Sequence, residues 1–156
     1  MNYAGFGKRL VAFIIDSIIG FILGTFLGVL VGFLYGMTDG AAAKSEQELR
    51  TVSMNLGFLA YLLANWLYFA GMESSSSQAT LGKKYLGLCV ADTDGDPINF
   101  GRATVRYIGK NVALLLFPLG PLIYTVSGLG GYMLAAFTPE HRALHDYIGG
   151  TVVLEQ

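Results

Sequence analysis

Two long apolar stretches dominate the chain and predict two membrane-spanning helices. Residues 10–36 carry one charge, Asp16, in 27 positions. At about 1.5 Å per residue they extend about 40 Å, enough to cross a hydrocarbon core of about 30 Å. Residues 52–72 are 21 uncharged positions whose end contains Trp66, Tyr68 and Phe69, aromatic side chains typical of a membrane interface. The first stretch is far longer than the apolar part of a secretory signal, so it is predicted to be an uncleaved anchor.

A third apolar region, residues 111–139, allows two interpretations. Its 29 uncharged residues are interrupted by Pro118-Leu119-Gly120-Pro121. A single span would kink at the prolines and place the tail on the opposite side from the N-terminus. A hairpin would turn at Leu119-Gly120. Its first arm would begin near Phe100, with membrane segments at about 104–118 and 121–137. The hairpin is preferred because basic residues in the N-terminus, the central loop and the tail favour a cytoplasmic position for all three.

The central loop, residues 73–103, and the tail, residues 138–156, hold the segments that look soluble. Ser74 to Ser77 is typical of a flexible connector. Residues 85–90 predict a short strand that stops at the turn-forming residues 92–97, and residues 151–154 predict a second strand. If both lie in the cytoplasm they can pair, which would tie the tail to the loop.

Composition agrees with a membrane location. The chain of 156 residues is 53% hydrophobic and 13% charged, about half the charge of an ordinary soluble domain, with a mean hydropathy of +0.52. A net charge of −1 argues against nucleic acid as a partner, because binding to phosphates needs a basic surface. The single cysteine, Cys89, excludes an internal disulfide and a cysteine zinc cage.

Asp16 is the candidate for chemistry, because an ionisable side chain in a membrane segment is costly and by default suggests a functional site. Arg9 lies seven positions earlier and therefore on the same helical face, about 10 Å away. A third group could bridge the two, and Asp146 in the tail is favoured. The alternatives are a buried structural ion pair and an ion or proton site.

Other polar side chains are weaker candidates. Arg102, Arg106 and Lys110 form a stripe at i, i+4 and i+8 that predicts either pairing with an aspartate or contact with anionic headgroups. The tail adds Arg142 and His145, and His141, His145 and Asp146 lack the further nearby ligand that a metal site needs. No metal and no other cofactor is expected.

Small residues recur every fourth position in the first helix and predict close helix packing. The stripe consists of Gly20, Gly24, Gly28, Gly32 and Gly36. Consecutive GxxxG units allow two helix backbones to approach closely. The second span is the preferred partner, and a second copy of the chain is the alternative.

These residues resemble the motifs of the RDD family, small multi-span membrane proteins named for one arginine and two aspartates. The resemblance covers nearly the whole chain. Its elements are residues 9–16, residues 80–90, residues 95–97 leading to Arg102 and Arg106, and residues 142–146 followed by residues 150–151. On that resemblance Arg9, Asp16 and Asp146 are the name-giving residues. Gly7 departs from the pattern, because similar proteins often have an aromatic residue there.

The resemblance implies a transport role, with cation/proton antiport suggested for some members. Asp16 and Asp146 would exchange protons for monovalent cations, with Arg9 lowering their pKa values. Alternating access in so short a chain would require a homo-oligomer. The rival interpretation is a non-catalytic scaffold or accessory protein in which Arg9, Asp16 and Asp146 form a structural lock.

The sequence therefore predicts an all-α integral membrane protein that is not an enzyme. Its fold is expected to be a small helical bundle of three to four membrane segments with a short cytoplasmic β-hairpin-like loop. The expected location is the lipid bilayer of a cell membrane, the inner membrane of a bacterium, with both ends of the chain in the cytoplasm.

Overall fold

The computed structural model describes residues 1–38, 44–115 and 135–155, with the side chains of 112–115 excepted. The chain forms two compact units. Unit 1 comprises Met1–Asp16 and Phe69–Gln156, and unit 2 comprises Ser17–Tyr68. Two long helices, α1 (Phe6–Gly36) and α2 (Glu46–Glu73), each contribute residues to both units.

Both long helices are long and apolar enough to cross a membrane. Only 22% of the most apolar window of α1 and 6% of that of α2 is buried, whereas the core helix of a soluble protein is mostly buried. This confirms a mostly helical fold with two candidate membrane-spanning helices, and the total of three to four segments stays a prediction.

Helix α2 begins earlier than the apolar stretch predicted. Ser45 and Glu48 form a capping box, in which the Glu48 N–H donates to Ser45 Oγ at 3.3 Å and the Ser45 N–H donates to Glu48 Oε2 at 3.0 Å. Glu46, Glu48 and Arg50 therefore lie in the first turns of the helix and not in a loop.

In unit 2, three of the predicted stripe glycines lie against α2. A Cβ atom added to Gly28 would lie 2.7 Å from the carbonyl oxygen of Gly57, and one added to Gly32 would lie 3.1 Å from that of Ser53. One added to Gly24 would meet the side chains of Tyr61 and Asn65, whereas Gly36 has open space around it. Glycine at 28 thus leaves room for the Gly57 carbonyl, whereas a larger residue at 24 or 32 would displace neighbouring atoms of the second helix.

Unit 1 contains a two-stranded antiparallel sheet made of β1 (Leu88–Asp92) and β2 (Thr151–Glu155), so the predicted pairing of loop and tail is present. Cys89 lies opposite Leu154. The first residues of the chain join the sheet through bonds from the Ala4 N–H to Val153 O and from the Glu155 N–H to Asn2 O, each 2.9 Å.

The strand predicted at 85–90 is wrong at its start. Tyr85 ends a short helix, α3 (Leu81–Tyr85), and Gly87 adopts a φ of +66°, so the chain turns before β1 begins at Leu88. The predicted turn follows β1, where Ala91 forms a bridge to Pro97. The serines also differ from a free connector, because Ser74 and Ser75 hydroxyls donate to the carbonyls of Ala70 and Met72 at 2.8 and 2.7 Å.

Unit 1 is completed by α4 (Phe100–Leu115) and α5 (Leu144–Gly149). Helix α4 begins at Phe100, where the first hairpin arm was expected to begin, because the Asn99 side chain accepts from the Arg102 N–H at 2.9 Å and caps the helix. The predicted turn at Leu119-Gly120 and most of the second arm, 121–137, lie outside the described residues.

Candidate site: a buried charge cluster in unit 1

Asp146 lies at the centre of a set of ionised side chains in the interior of unit 1. Its side chain is fully buried, and its carboxylate pairs with the guanidinium groups of Arg9 and Arg106. Arg106 Nη1 lies 2.5 Å from Asp146 Oδ1, and Arg9 Nη2 donates to Oδ2. The two arginines come from α4 and α1, so the carboxylate of the tail binds two helices that are far apart in sequence.

Local chemistry of the tail fixes the position of Asp146. It is the third residue of α5, and its Oδ2 accepts from the N–H of Ala143 at 2.9 Å, which satisfies the backbone at the helix start. Gly150, at φ +60°, ends α5 in the left-handed conformation that glycine tolerates, and the chain then enters β2. Arg9 adds a bond to the carbonyl of His141, so it holds the tail at two points.

Arg106 also pairs with a second buried carboxylate, Glu73, at the end of α2. Arg106 Nε lies 3.1 Å from Glu73 Oε2, and Lys83 of α3 pairs with Glu73 Oε1. Arg106 Nη1 further donates to Thr151 Oγ1 at 2.7 Å. One guanidinium thus connects both carboxylates and the start of β2. Arg9, Glu73, Lys83, Arg106 and Asp146 are hereafter the buried charge cluster.

Asp16 is bound by a different element of unit 1. Its Oδ2 accepts from Thr80 Oγ1 at 2.5 Å and its Oδ1 accepts from the Gly82 N–H at 2.8 Å. A Cβ atom on Gly82 would lie 2.6 Å from the Ala12 carbonyl and 3.0 Å from the Asp16 carboxyl carbon, so only glycine permits this approach. The side chain of Asp16 is 1% exposed and attaches the central loop to α1.

Beside the cluster, Lys110 contacts aromatic rings. Its ammonium nitrogen lies 4.1 Å from the ring centre of Phe69 and 4.7 Å from that of Phe13. Lys110 also lines, with Glu73, Lys83, Arg106 and His145 among others, a cavity of about 10 Å³, room for about one water molecule.

The charges within the cluster decide the protonation states of the tail residues. Burial alone would raise the pKa of Asp146, but the charges of Arg106 and Arg9 outweigh burial and hold that pKa below its ordinary range. Burial, together with the neighbouring cations Arg106 and Lys110, lowers the pKa of His145 to about 3 although Asp146 opposes the shift. His145 is therefore neutral at pH 7, and its 3.4 Å contact with Asp146 is not an ion pair.

The structure brings together four residues singled out in the sequence: Arg9, Arg106, His145 and Asp146. The sequence predicted that Asp146 bridges Arg9 and Asp16. Asp146 does contact Arg9, whereas Thr80 and Gly82 donate hydrogen bonds to Asp16. Arg142 lies at the edge, where it bonds the carbonyl of Thr151 at 3.2 Å and does not pair with the Asp146 carboxylate.

Sequence reasoning missed Glu73, Lys83 and the two groups that bind Asp16. Two features of the sequence could have marked these residues as site candidates. Glu73 directly follows the uncharged stretch 52–72, and Lys83 lies in the motif element 80–90. The predicted stripe of α4 divides three ways: Arg106 points into the cluster, Lys110 contacts the rings, and Arg102 forms an exposed pair with Asp92 at 3.1 Å.

Metal binding has no support in the parts of the chain that the structure describes. Residues 1–38, 44–115 and 135–155 contain no group of three or more His, Cys, Asp or Glu side chains that could hold a metal ion. His141 Nδ1 instead contacts the carbonyl of Ala135 at 2.9 Å.

Comparison with known proteins identifies similar chains. The family model described as "RDD family" matches residues 3–150. Among curated proteins, the uncharacterized protein YxaI of Bacillus subtilis (strain 168) is 30% identical over 159 residues, which covers 97% of this chain and 96% of that protein. No solved structure matches the chain.

Proposed function

The chain belongs to the RDD family, and we propose that it is a non-catalytic membrane scaffold or accessory protein in which Arg9, Asp16 and Asp146 form a structural lock. Asp146 joins the tail to α1 and α4, and Asp16 joins the central loop to α1. The lock would hold the sheet and the loop in one arrangement at the membrane for a partner protein to bind.

The observation that carries this proposal is the burial of both carboxylates against fixed partners. Asp146 is fully buried between two guanidinium groups, and each oxygen of Asp16 accepts a hydrogen bond from the central loop. Removing one partner from such a site leaves a buried charge uncompensated, which typically costs about 3–5 kcal/mol. These contacts therefore suit a permanent structural role.

Cation/proton antiport is the second candidate, and the location of Asp16 favours it. A carboxylate in a helix able to cross a membrane is a common feature of proton and ion pathways. Antiport requires a carboxylate that gains and loses its proton near neutral pH and that ions can reach. The lowered pKa of Asp146 and the burial of both aspartates weigh against this role.

The contacts within unit 1 also support the proposed topology. Residues 2–4 bond to β2, and Arg9 bonds to the tail, so the start of α1, the central loop and the tail lie together. That arrangement supports a position of the loop and the tail on the same side of the membrane, as a partly inserted hairpin would give, and a cytoplasmic position for both ends in a bacterial inner membrane. No enzyme activity is part of this proposal.

Flux measurements separate the two functions. Wild type and Asp16→Asn would be reconstituted in vesicles that contain a pH-sensitive dye, with a sodium or potassium gradient imposed across the bilayer. The lock predicts no proton flux above protein-free vesicles for either protein. Gradient-driven flux in wild type that Asp16→Asn abolishes without loss of folding would establish antiport and refute the lock.

Proteolysis tests the lock directly. Asp146→Asn should accelerate tryptic cleavage after Arg142, because the tail is released from Arg9 and Arg106. Asp96→Asn is the matched control, since Asp96 lies in the exposed turn after β1. Equal cleavage rates in the two variants would show that Asp146 does not hold the tail.

A further inference from the structure

Helix α4 has its charged face inside and its apolar face outside. Arg106 and Ala103 are buried, and Lys110 contacts the rings of Phe13 and Phe69. Val105 and Ile108 point away from the interior of unit 1 and are 45% and 48% exposed. A surface helix in water has the opposite arrangement, with its apolar stripe facing the core.

Helix α5 repeats this inversion. His145, Asp146 and Gly149 are buried, whereas Leu144, Tyr147 and Ile148 are 41%, 48% and 48% exposed. The exposed sides of the two helices adjoin, because a Cβ atom on Gly109 would lie 3.2–3.4 Å from atoms of Ile148. Val105, Ile108, Leu144, Tyr147 and Ile148 therefore form one surface, hereafter the tail face.

The helix α4, which carries part of the tail face, is attached to the start of α1. Within unit 1, the first turns of α1 expose Val11 and Ile14, and α1 is a candidate membrane-spanning helix. The contact between Lys110 and Phe13 attaches α4 to these turns. Lipid around this end of α1 would thus be adjacent to α4, the helix that carries two of the five residues of the tail face.

Polar groups at the rim have the chemistry of a membrane interface. The Arg142 guanidinium carbon lies 4.2 Å from the ring centre of Tyr147, and tyrosine and arginine are both common at the headgroup level of bilayers. Arg102 lies one turn before Val105 in α4, and its half-exposed guanidinium, which pairs with Asp92, can also contact anionic headgroups.

We propose that the tail face is a lipid-docking surface, on which α5 and the turn of α4 from Val105 to Ile108 lie in the bilayer interface with their apolar side chains among the upper acyl carbons. This inference goes beyond the structural lock and does not depend on it. Interfacial helices of this type bury their apolar side about 5–10 Å into the boundary between headgroups and acyl chains. The charge cluster would then be covered by protein on one side and by lipid on the other.

Depth-dependent fluorescence quenching in the full-length protein tests the proposal. Cys89 is buried and is the single cysteine, so a Cys89→Ser background accepts one new labelling site at a time. Ile148→Cys and Ile108→Cys would each carry a small environment-sensitive dye, with Asp94→Cys in the exposed turn as the control. Three vesicle preparations would be compared, all containing anionic lipid. They differ in the position of the nitroxide on a second lipid: in the headgroup, near the top of the acyl chain, or near its middle.

Both tail-face labels should show blue-shifted emission and at least about twofold stronger quenching by the upper acyl nitroxide than by the middle one. The Asp94→Cys label should be quenched by aqueous iodide and not by the acyl nitroxides. Each labelled variant is compared with the Cys89→Ser protein by circular dichroism and size-exclusion chromatography, and Leu144→Cys replaces a variant that does not fold.

Three results would overturn the proposal. Iodide quenching at Ile148→Cys equal to that at Asp94→Cys would place the tail face in water. Blue-shifted emission that no nitroxide lipid quenches would mean that another segment or a second copy of the chain covers the face. Strongest quenching by the mid-chain nitroxide would place these residues in a transmembrane segment.

Discussion

Unit 1 and unit 2 are stabilised by different means although they share two helices. Unit 1 buries the ionised side chains of Arg9, Glu73, Lys83, Arg106 and Asp146 around a few short elements. In the described part of unit 2, residues 17–38 and 44–68, the charged side chains are exposed, and the helices meet where glycine leaves room for a backbone carbonyl.

This difference determines how each unit responds to change. An ion pair in the interior depends on both partners, so loss of one leaves the other desolvated and uncompensated. Contact between two backbones depends on distance alone and contains no titratable group. Unit 1 should therefore be sensitive to charge and pH, and unit 2 to side-chain size.

Asp146→Ala should have the largest effect. It removes the carboxylate shared by Arg9 and Arg106 and should lower the free energy of unfolding by about 3–5 kcal/mol. Unfolding in mixed detergent micelles, monitored by circular dichroism, measures the change. Asp94→Ala, in the exposed turn, should stay within error of wild type, and equal losses in the two variants would contradict the distinct role of the cluster.

Gly28→Ala should have the next largest effect, in unit 2. The new methyl group would lie 2.7 Å from the carbonyl oxygen of Gly57, so the helices must separate at a cost of about 1–3 kcal/mol. Gly36→Ala, on the same stripe but with open space around it, should be neutral or slightly stabilising. Equal destabilisation by the two variants would show that helix contact is not the cause.

The two units also differ in what the sequence alone could predict. The helices of unit 2 follow from apolar length and glycine spacing, both of which are local properties of the chain. Pairing of Arg9 with Asp146 was within reach because the family motifs mark both residues. Pairing of the loop strand with the tail strand followed from β-prone runs that were expected on one side of the membrane.

Other features of unit 1 could not be predicted because they depend on tertiary contacts. Nothing local to Arg106 distinguishes it from Arg102, yet one is buried and the other is exposed. Glu73 can be recognised as part of the buried charge cluster only once its ion pairs with Lys83 and Arg106 are known. The strand boundary was misplaced because the left-handed turn at Gly87 interrupts a run that is β-prone by composition.

Acidification should distinguish the units by a smaller, graded effect. His145 has a native pKa of about 3 against an ordinary value of 6.5, so below pH 6.5 the unfolded chain binds a proton that the native chain does not. Stability is then lost as pH falls from 6.5 towards 3, by about 1.4 kcal/mol per pH unit at most. The unfolding midpoint measured from pH 7.5 to about 5 should show this slope.

Two variants locate the origin of the slope. His145→Gln should flatten it, because glutamine does not titrate in this range, whereas Gly28→Ala should lower stability equally at every pH. A slope that persists in His145→Gln would assign the acid sensitivity to another group. Further loss near and below the ordinary pKa of Asp146, 3.8, is expected in both variants, since protonation of that carboxylate removes its pairs with Arg9 and Arg106.

The smallest effect is expected from Lys8→Ala, although its ion pair is short. Lys8 Nζ lies 2.6 Å from Glu155 Oε2, and the neighbouring residue Arg9 forms the pair with Asp146. The side chain of Lys8 is 53% exposed and that of Arg9 is 3% exposed, so water solvates either partner of the first pair when the other is removed. Lys8→Ala should leave the unfolding midpoint unchanged within error, whereas Arg9→Ala should lower it about as much as Asp146→Ala. Lys8 and Arg9 are adjacent, and both side chains bind the tail. If Lys8→Ala and Arg9→Ala lowered the unfolding midpoint by comparable amounts, attachment of the tail, and not burial of charge, would determine the stability of unit 1.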